Sequence, residues 1–336
     1  MRTEFTVDIS AFCFCRGVVS FLGAVGHAFA IRTFVAMGLK DGVTLSFLFL
    51  SVSDLLYLIS ITAASVSYIF LSIELLSHFA VYFPVDPYGL NTYFINCGSG
   101  FYANTMLTIT FLSIARCLSV AKPLWFRSIF GTTTVSLVCL ISISSFCLVT
   151  SIPILVSMEF MPVFEQGINT TRLTLSFSAN LKPVTYIIWL LRGSFVPFAV
   201  QLILIICVCV MIRFLRKAVK FRQKHTSSSR ITHRVKAKKG ESTTNNLQEN
   251  VKLTRREVQV IRQMLVLSLV FIVCNVPKIC INTTIFAVPE FSVDGRYGRM
   301  YERVDIVRDA LQIFNSCFSI VIYYKYNSKF RAVFCF

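Results

Sequence analysis

Charge is scarce in this sequence: Asp, Glu, Lys and Arg make up 15% of its 336 residues, against 55% hydrophobic ones. With a mean hydropathy of +0.69, it carries more apolar surface than one soluble core of this length usually buries. That excludes an ordinary soluble domain and leaves a membrane as the natural solvent. Glycine and proline are also few, 14 and 9 beside 32 Phe. Together with apolar runs far longer than a strand, this favours helices over a barrel, whose strands would alternate polar and apolar residues. Residues 1–12 hold Arg2, Glu4 and Asp8 without a short apolar stretch and a small-residue cleavage site, so the first membrane helix is expected to act as its own insertion signal. No internal repeat is visible, which argues against the inverted duplication common in transporters. No nucleophile with a base, metal-spaced His/Cys set or glycine-rich phosphate loop stands out, so no enzyme is expected. Of the 12 cysteines, Cys139, Cys147, Cys207, Cys209, Cys274, Cys280 and Cys317 sit inside apolar runs and read as small core residues, not as a secreted disulfide framework.

What is present is a set of seven segments, each able to cross about 30 Å of hydrocarbon, which needs roughly 20 helical residues. They lie near 13–37, 44–70, 93–118, 132–156, 183–212, 260–285 and 303–324. The expected fold is an all-α membrane protein, a seven-transmembrane helix bundle over 13–325, with a short amino-terminal segment (1–12) and an amphipathic carboxy-terminal helix in 326–336. The net charge of +17 is concentrated in one connection: between Arg213 and Arg262 stand fifteen Lys or Arg and three Glu. Basic loops beside apolar spans mark a cytoplasmic face, so nucleic acid is not an expected partner. Lys40, Lys122, Arg127, Lys325, Lys329 and Arg331 fall on the same side, which puts the amino terminus outside a plasma membrane. Residues 220–254 are polar and nearly free of aromatics and read as mostly disordered. Asn169-Thr170-Thr171 is a glycosylation sequon on the outer side.

Charges inside the spans are functional candidates by default. The third span ends Ala115-Arg116-Cys117, with Pro123 seven residues after the arginine. The sixth contains Phe271-Ile272-Val273-Cys274-Asn275-Val276-Pro277, and the seventh runs Asn315-Ser316-Cys317-Phe318-Ser319-Ile320-Val321-Ile322-Tyr323. The second carries Asp54 within Leu50-Ser51-Val52-Ser53-Asp54-Leu55. Taken together these resemble the Asp-Arg-Tyr, Phe-x-x-Cys-Trp-x-Pro, Asn-Ser-x-x-Asn-Pro-x-x-Tyr and second-span acid of the rhodopsin-like G-protein-coupled receptors. The resemblance covers nearly the whole chain outside the basic loop, and is nearest to divergent invertebrate orphan, chemosensory or peptide-type members.

It implies a switch for a heterotrimeric G protein made by Arg116, Glu257, Tyr323, Phe271 and the kink at Pro277. Arg116 alone also fits an arginine snorkelling to the interface, and Glu257 a solvated acid beside Arg255 and Arg256. Ligand-facing positions carried over are Tyr102, Trp189, Arg192, Asn275, Lys278, Asn282, Asp305, Arg308, Asp309 and Gln312. Gly98 stands where amine receptors keep an acid, so the cations Arg192 and Lys278 point to a small acidic or zwitterionic ligand or a peptide terminus; the alternative is structural pairing with Asp309. The resemblance also implies an allosteric sodium ion among Asp54, Thr105, Asn315, Ser316 and Ser319, with no other cofactor. Cys335 would be lipidated, and Phe330, Val333, Phe334 and Phe336 would lay the last helix on membrane lipids.

Several positions depart from the pattern. Ala115 replaces an acid, Asn275 a tryptophan, His27 an asparagine, and Ser319 and Ile320 the Asn-Pro pair. The 157–182 connection has no cysteine, so no bridge to the third helix is expected. A transporter or channel using Asp54, Arg192 and Lys278 as a path, and a receptor-like protein with weak coupling, are the competing readings.

Overall fold

The computed structural model describes residues 2–39, 41–78, 80–122, 126, 133–165, 170–232, 255–288, 290–291 and 295–334. The chain runs α1 (Arg2–Ala36), α2 (Gly42–Leu76), α3 (Pro87–Ala121), α4 (Thr133–Val156), β1 (Met158–Glu165), β2 (Thr170–Phe177), α5 (Lys182–Leu190), a π-helical turn (Leu191–Phe195), α6 (Val196–Thr232), α7 (Arg255–Ala287), α8 (Gly298–Tyr326) and α9 (Ser328–Phe334). Seven helical stretches are long and apolar enough to cross a membrane, the fifth being α5, the π turn and the first part of α6 together. Large apolar side chains such as Val149 (65% exposed), Phe195 (67%) and Val273 (65%) point outward along these stretches. Only a lipid environment accommodates such a belt.

Local chemistry sets the helix ends. Asp41 accepts from Val43 N to cap α2, and Asp86 accepts from Tyr88 N and Gly89 N to cap α3, with Pro87 in the first turn where its missing N–H costs nothing. Inside α2, Ser46, Ser53, Ser60 and Ser67 each donate to the carbonyl four residues back. Bonding to their own backbone lets these small residues sit in an apolar medium and keeps helix surfaces close. Glycine does the same where no side chain fits: a Cβ at Gly23 would meet Cys317 Sγ at 2.5 Å, and one at Gly100 would meet Ser151 Oγ at 2.7 Å.

The expected spans are recovered, most of them with longer ends. The first helix starts at Arg2, so residues 2–12 of the expected amino-terminal segment are part of it, and α6 runs to Thr232, into the stretch read as disordered. The antiparallel β1–β2 hairpin was not anticipated. In α9, Phe330 is fully buried against Phe34 at 4.9 Å instead of facing lipid, because the turn at Asn327 swings it under α1.

Candidate functional site

Two prolines open the site. Pro197 lacks the N–H that would bond the Gly193 carbonyl one turn back. The turn before it widens to a π-bulge, in which Val196 N reaches back to Leu191 O, and Asn282 Nδ2 from α7 donates to the freed Gly193 carbonyl. Near the second proline, Pro277, Gln201 Nε2 from α6 donates to Ile272 O at 3.1 Å. The fifth and sixth crossings are thus cross-tied on either side of Pro277.

The bulge turns Arg192 inward. It is 8% exposed and donates to Thr150 O (3.3 Å), Ser151 Oγ (3.1 Å) and Ser99 Oγ (3.4 Å), all uncharged acceptors. Lys278, on α7, holds its Nζ 5.4 Å from the centroid of the Tyr102 ring. Among the described residues, neither cation has a carboxylate within salt-bridge distance. Tyr102 is buried, stacks 6.3 Å from Phe271 and donates its hydroxyl to Asn275 Oδ1 at 3.0 Å. Asn275 lies two residues before Pro277, so Lys278, Tyr102 and this proline form one connected unit. Gln312 is buried on α8, whereas Trp189 is 41% exposed on α5.

Asp305 and Asp309 of α8 are engaged elsewhere. Arg308 pairs with Asp305 (3.0 Å) and Asp309 (2.9 Å), and Asp309 also takes Arg16 Nη1 of α1 at 3.4 Å. Arg16 Nε donates in addition to Ser65 of α2. The sequence-based pairing of Asp309 with Arg192 or Lys278 is therefore not formed. Arg16 was overlooked in the sequence; an arginine inside an apolar run was signal enough to include it.

At mid-bundle Asp54 is 1% exposed and accepts from Thr105 Oγ1 (2.9 Å), Ser316 Oγ (3.1 Å) and Ser319 Oγ (3.4 Å). Four of the five residues implied for sodium thus converge. The fifth, Asn315, is buried with its Oδ1 unpartnered. His27 Nε2 lies 3.0 Å from Ser316 O, which can only accept, so this nitrogen carries a proton; it stands 3.8 Å from Asp54 Oδ2. The Thr105 and Ser316 hydroxyls turn their hydrogens to the carboxylate and the His27 N–H goes to Ser316 O, so hydrogen bonds satisfy the cluster without a sodium ion.

At the end carrying the basic loop, Ser113 and Ser268 share a buried hydrogen bond of 2.7 Å between α3 and α7. Tyr323 is caged by Phe34 (5.3 Å) and Phe47 (5.2 Å). Arg116 is half-buried at the end of α3. Asn169 and Cys335, and the side chain of Glu257, lie outside the described residues.

At the opposite end the hairpin is tied down without a disulfide; every described cysteine, Cys97 included, is a free thiol. Arg172 Nη2 on β2 donates to Glu74 Oε2 at 3.0 Å and Asp86 Oδ1 at 3.1 Å, and its guanidinium lies 4.9 Å over the Tyr82 ring. Glu74, at 0% exposure, also accepts from Phe83 N. Backbone bonds from Leu173 N to Pro84 O (2.9 Å) and from Asp86 N to Leu173 O (2.8 Å) complete the clasp.

Fold and composition define a multi-pass helical membrane protein. No protein-family model matches the chain, and no curated protein is significantly similar to it.

Proposed function

We propose that this chain is a plasma-membrane receptor of the rhodopsin-like kind, with its hairpin end outside the cell, that converts binding of a small acidic or zwitterionic ligand, or an acidic peptide terminus, into activation of a heterotrimeric G protein. The observation that carries the reading is the pair of cations, Arg192 and Lys278, that have no carboxylate partner among the described residues and lie beside the Tyr102–Asn275–Pro277 unit. A buried charge without a counterion is costly, and a ligand carboxylate offsets that cost. Two unit charges about 4 Å apart interact by roughly 4 kcal/mol at an effective dielectric of 20.

A carboxylate that draws Lys278 from the Tyr102 ring pulls on α7 one residue past its kink. Proline leaves that point without one backbone bond, so the far end of α7 can swing outward. The swing parts Ser113 from Ser268 and opens a cleft beside Arg116 in which the G protein engages. Ala115, where an acid would restrain Arg116, lowers the barrier and gives basal activity. Asn169 would carry a glycan and Cys335 a lipid.

The test is guanine-nucleotide exchange by the reconstituted chain with a panel of carboxylates (amino acids, dicarboxylic acids, peptides) and size-matched amines. Carboxylates should stimulate exchange, and Lys278→Gln should weaken the best of them by about 2 kcal/mol, on the order of thirtyfold. Stimulation by amines alone, or unchanged potency in Lys278→Gln, would remove the reading.

A further inference from the structure

A groove opens on the flank of the bundle between α7 and α8, at the end opposite the basic loop. It encloses about 840 Å³ and is walled by Pro277, Ile281 and Thr284 of α7 and by Met300, Val304 and Val307 of α8. These positions recur at helical spacing, so one stripe of each helix faces the seam between them. Val276 and Val307 at its edge are 45% and 51% exposed, which turns the groove towards hydrocarbon, away from the inward face that carries Lys278.

Along the seam the walls are largely apolar, and the Thr284 hydroxyl is spent on the Cys280 carbonyl at 2.8 Å. Charge enters at one position. Arg303 lines the same groove and is exposed, and among the described residues no carboxylate lies within salt-bridge distance of it. Asp305 and Asp309 of the same helix pair with Arg308 instead. Because side chains on a helix lean towards its amino terminus, the long stem of Arg303 carries its guanidinium towards the outer mouth of the groove. Arg296 and Arg299, with Glu302, line the cleft that adjoins this mouth, so the rim keeps a positive excess.

We propose that the groove holds a single-chain fatty acid from the surrounding membrane, with its carboxylate on Arg303 and its acyl chain along the α7–α8 seam. A guanidinium takes a carboxylate through two parallel N–H···O bonds. From Pro277 to the end of α7 the helix rises roughly 15 Å at 1.5 Å per residue, a length that a long acyl chain fills and a short one does not. Neighbouring helix axes lie about 8–10 Å apart, which leaves the seam one acyl chain wide. Acidic phospholipids, moreover, concentrate in the cytoplasmic leaflet, and the groove lies at the opposite end of the bundle. The choice of leaflet rests on the orientation given under the proposed function, whereas the groove and its arginine do not depend on it.

The test uses the full chain in phosphatidylcholine nanodiscs with a diazirine-tagged palmitate as probe, the cross-linked peptides being mapped by mass spectrometry. Labelling should saturate and concentrate in residues 276–288 and 300–307. Oleate should compete at least tenfold better than oleyl alcohol, which lacks the charge, octanoate, which lacks the length, or dioleoylphosphatidic acid, which has two chains. Arg303→Gln should weaken labelling tenfold or more, while Arg299→Gln, outside the lining, should leave it unchanged. Val307→Trp, which fills the seam, should abolish it. Labelling spread evenly over the lipid-facing helices, equal competition by any of the three controls, or equal labelling of Arg303→Gln and the wild type would overturn the site. The expected pattern in a chain whose hairpin end maps to the cytoplasm would uphold the groove and remove the receptor reading.

Discussion

Replacing Arg172 with methionine should destabilise the protein by about 3–5 kcal/mol and release the β1–β2 hairpin, because it leaves the fully buried carboxylate of Glu74 without its counterion. Methionine keeps most of the side-chain volume, so the loss reports charge rather than packing. Asp86 also loses its 3.1 Å partner but keeps its capping bonds to α3. Hydrogen exchange should speed up across residues 158–177, where Leu173 is the backbone link to Pro84 and Asp86. The double variant Arg172→Met with Glu74→Gln should recover much of the loss, since an uncharged amide is less costly to bury than a carboxylate. A reducing agent should leave the hairpin in place. Slow, native-like exchange in Arg172→Met would mean that the backbone bonds alone hold it.

The second large effect is expected at Asp309, which stands between Arg16 of α1 and Arg308 of α8. Asp309→Ala leaves Arg16, 8% exposed, with the Ser65 hydroxyl as its remaining partner among the described residues and adds a third carboxylate-free cation to a region that already holds Arg192 and Lys278. A cost of about 3 kcal/mol or more is expected in unfolding from lipid bicelles. Arg16→Met in the same background should restore part of it by removing the stranded charge. Equal stability of wild type and Asp309→Ala would show that the ladder joining α1 to α8 is incidental.

The sequence made the architecture legible because membrane solvation writes a strong signal: runs of about 20 apolar residues with their few charges confined to particular depths. The α7 span, expected at 260–285, has its apolar part at 258–285. The neighbours of Asp54 were legible only through the family resemblance, which named Thr105, Ser316 and Ser319; the chain holds too many serines and threonines in its spans for position alone to choose them. The partners of the other charges were not legible. Arg16 and Asp309 are 293 positions apart, and no local rule distinguishes that pairing from one with Lys278. The hairpin did leave a trace, since Arg172-Leu173-Thr174-Leu175-Ser176-Phe177 alternates strictly with a period of two. Pro162 interrupts the same reading in β1, and the buried clasp that gives Arg172 its purpose depends on acids from two other segments. Nor could sequence show that Pro197 frees a carbonyl for Asn282, because that bond needs the π turn and α7 side by side.

Coupling is tested most directly by measuring basal nucleotide exchange on purified heterotrimeric G proteins, with the wild-type chain, Arg116→Ala and empty vesicles in parallel. Exchange with the wild type should exceed that of empty vesicles for at least one α-subunit class, and Arg116→Ala should fall to the empty-vesicle rate while remaining folded. Exchange at the empty-vesicle rate for every class, or a rate in Arg116→Ala equal to that of the wild type, would contradict a receptor that signals through the cleft beside Arg116.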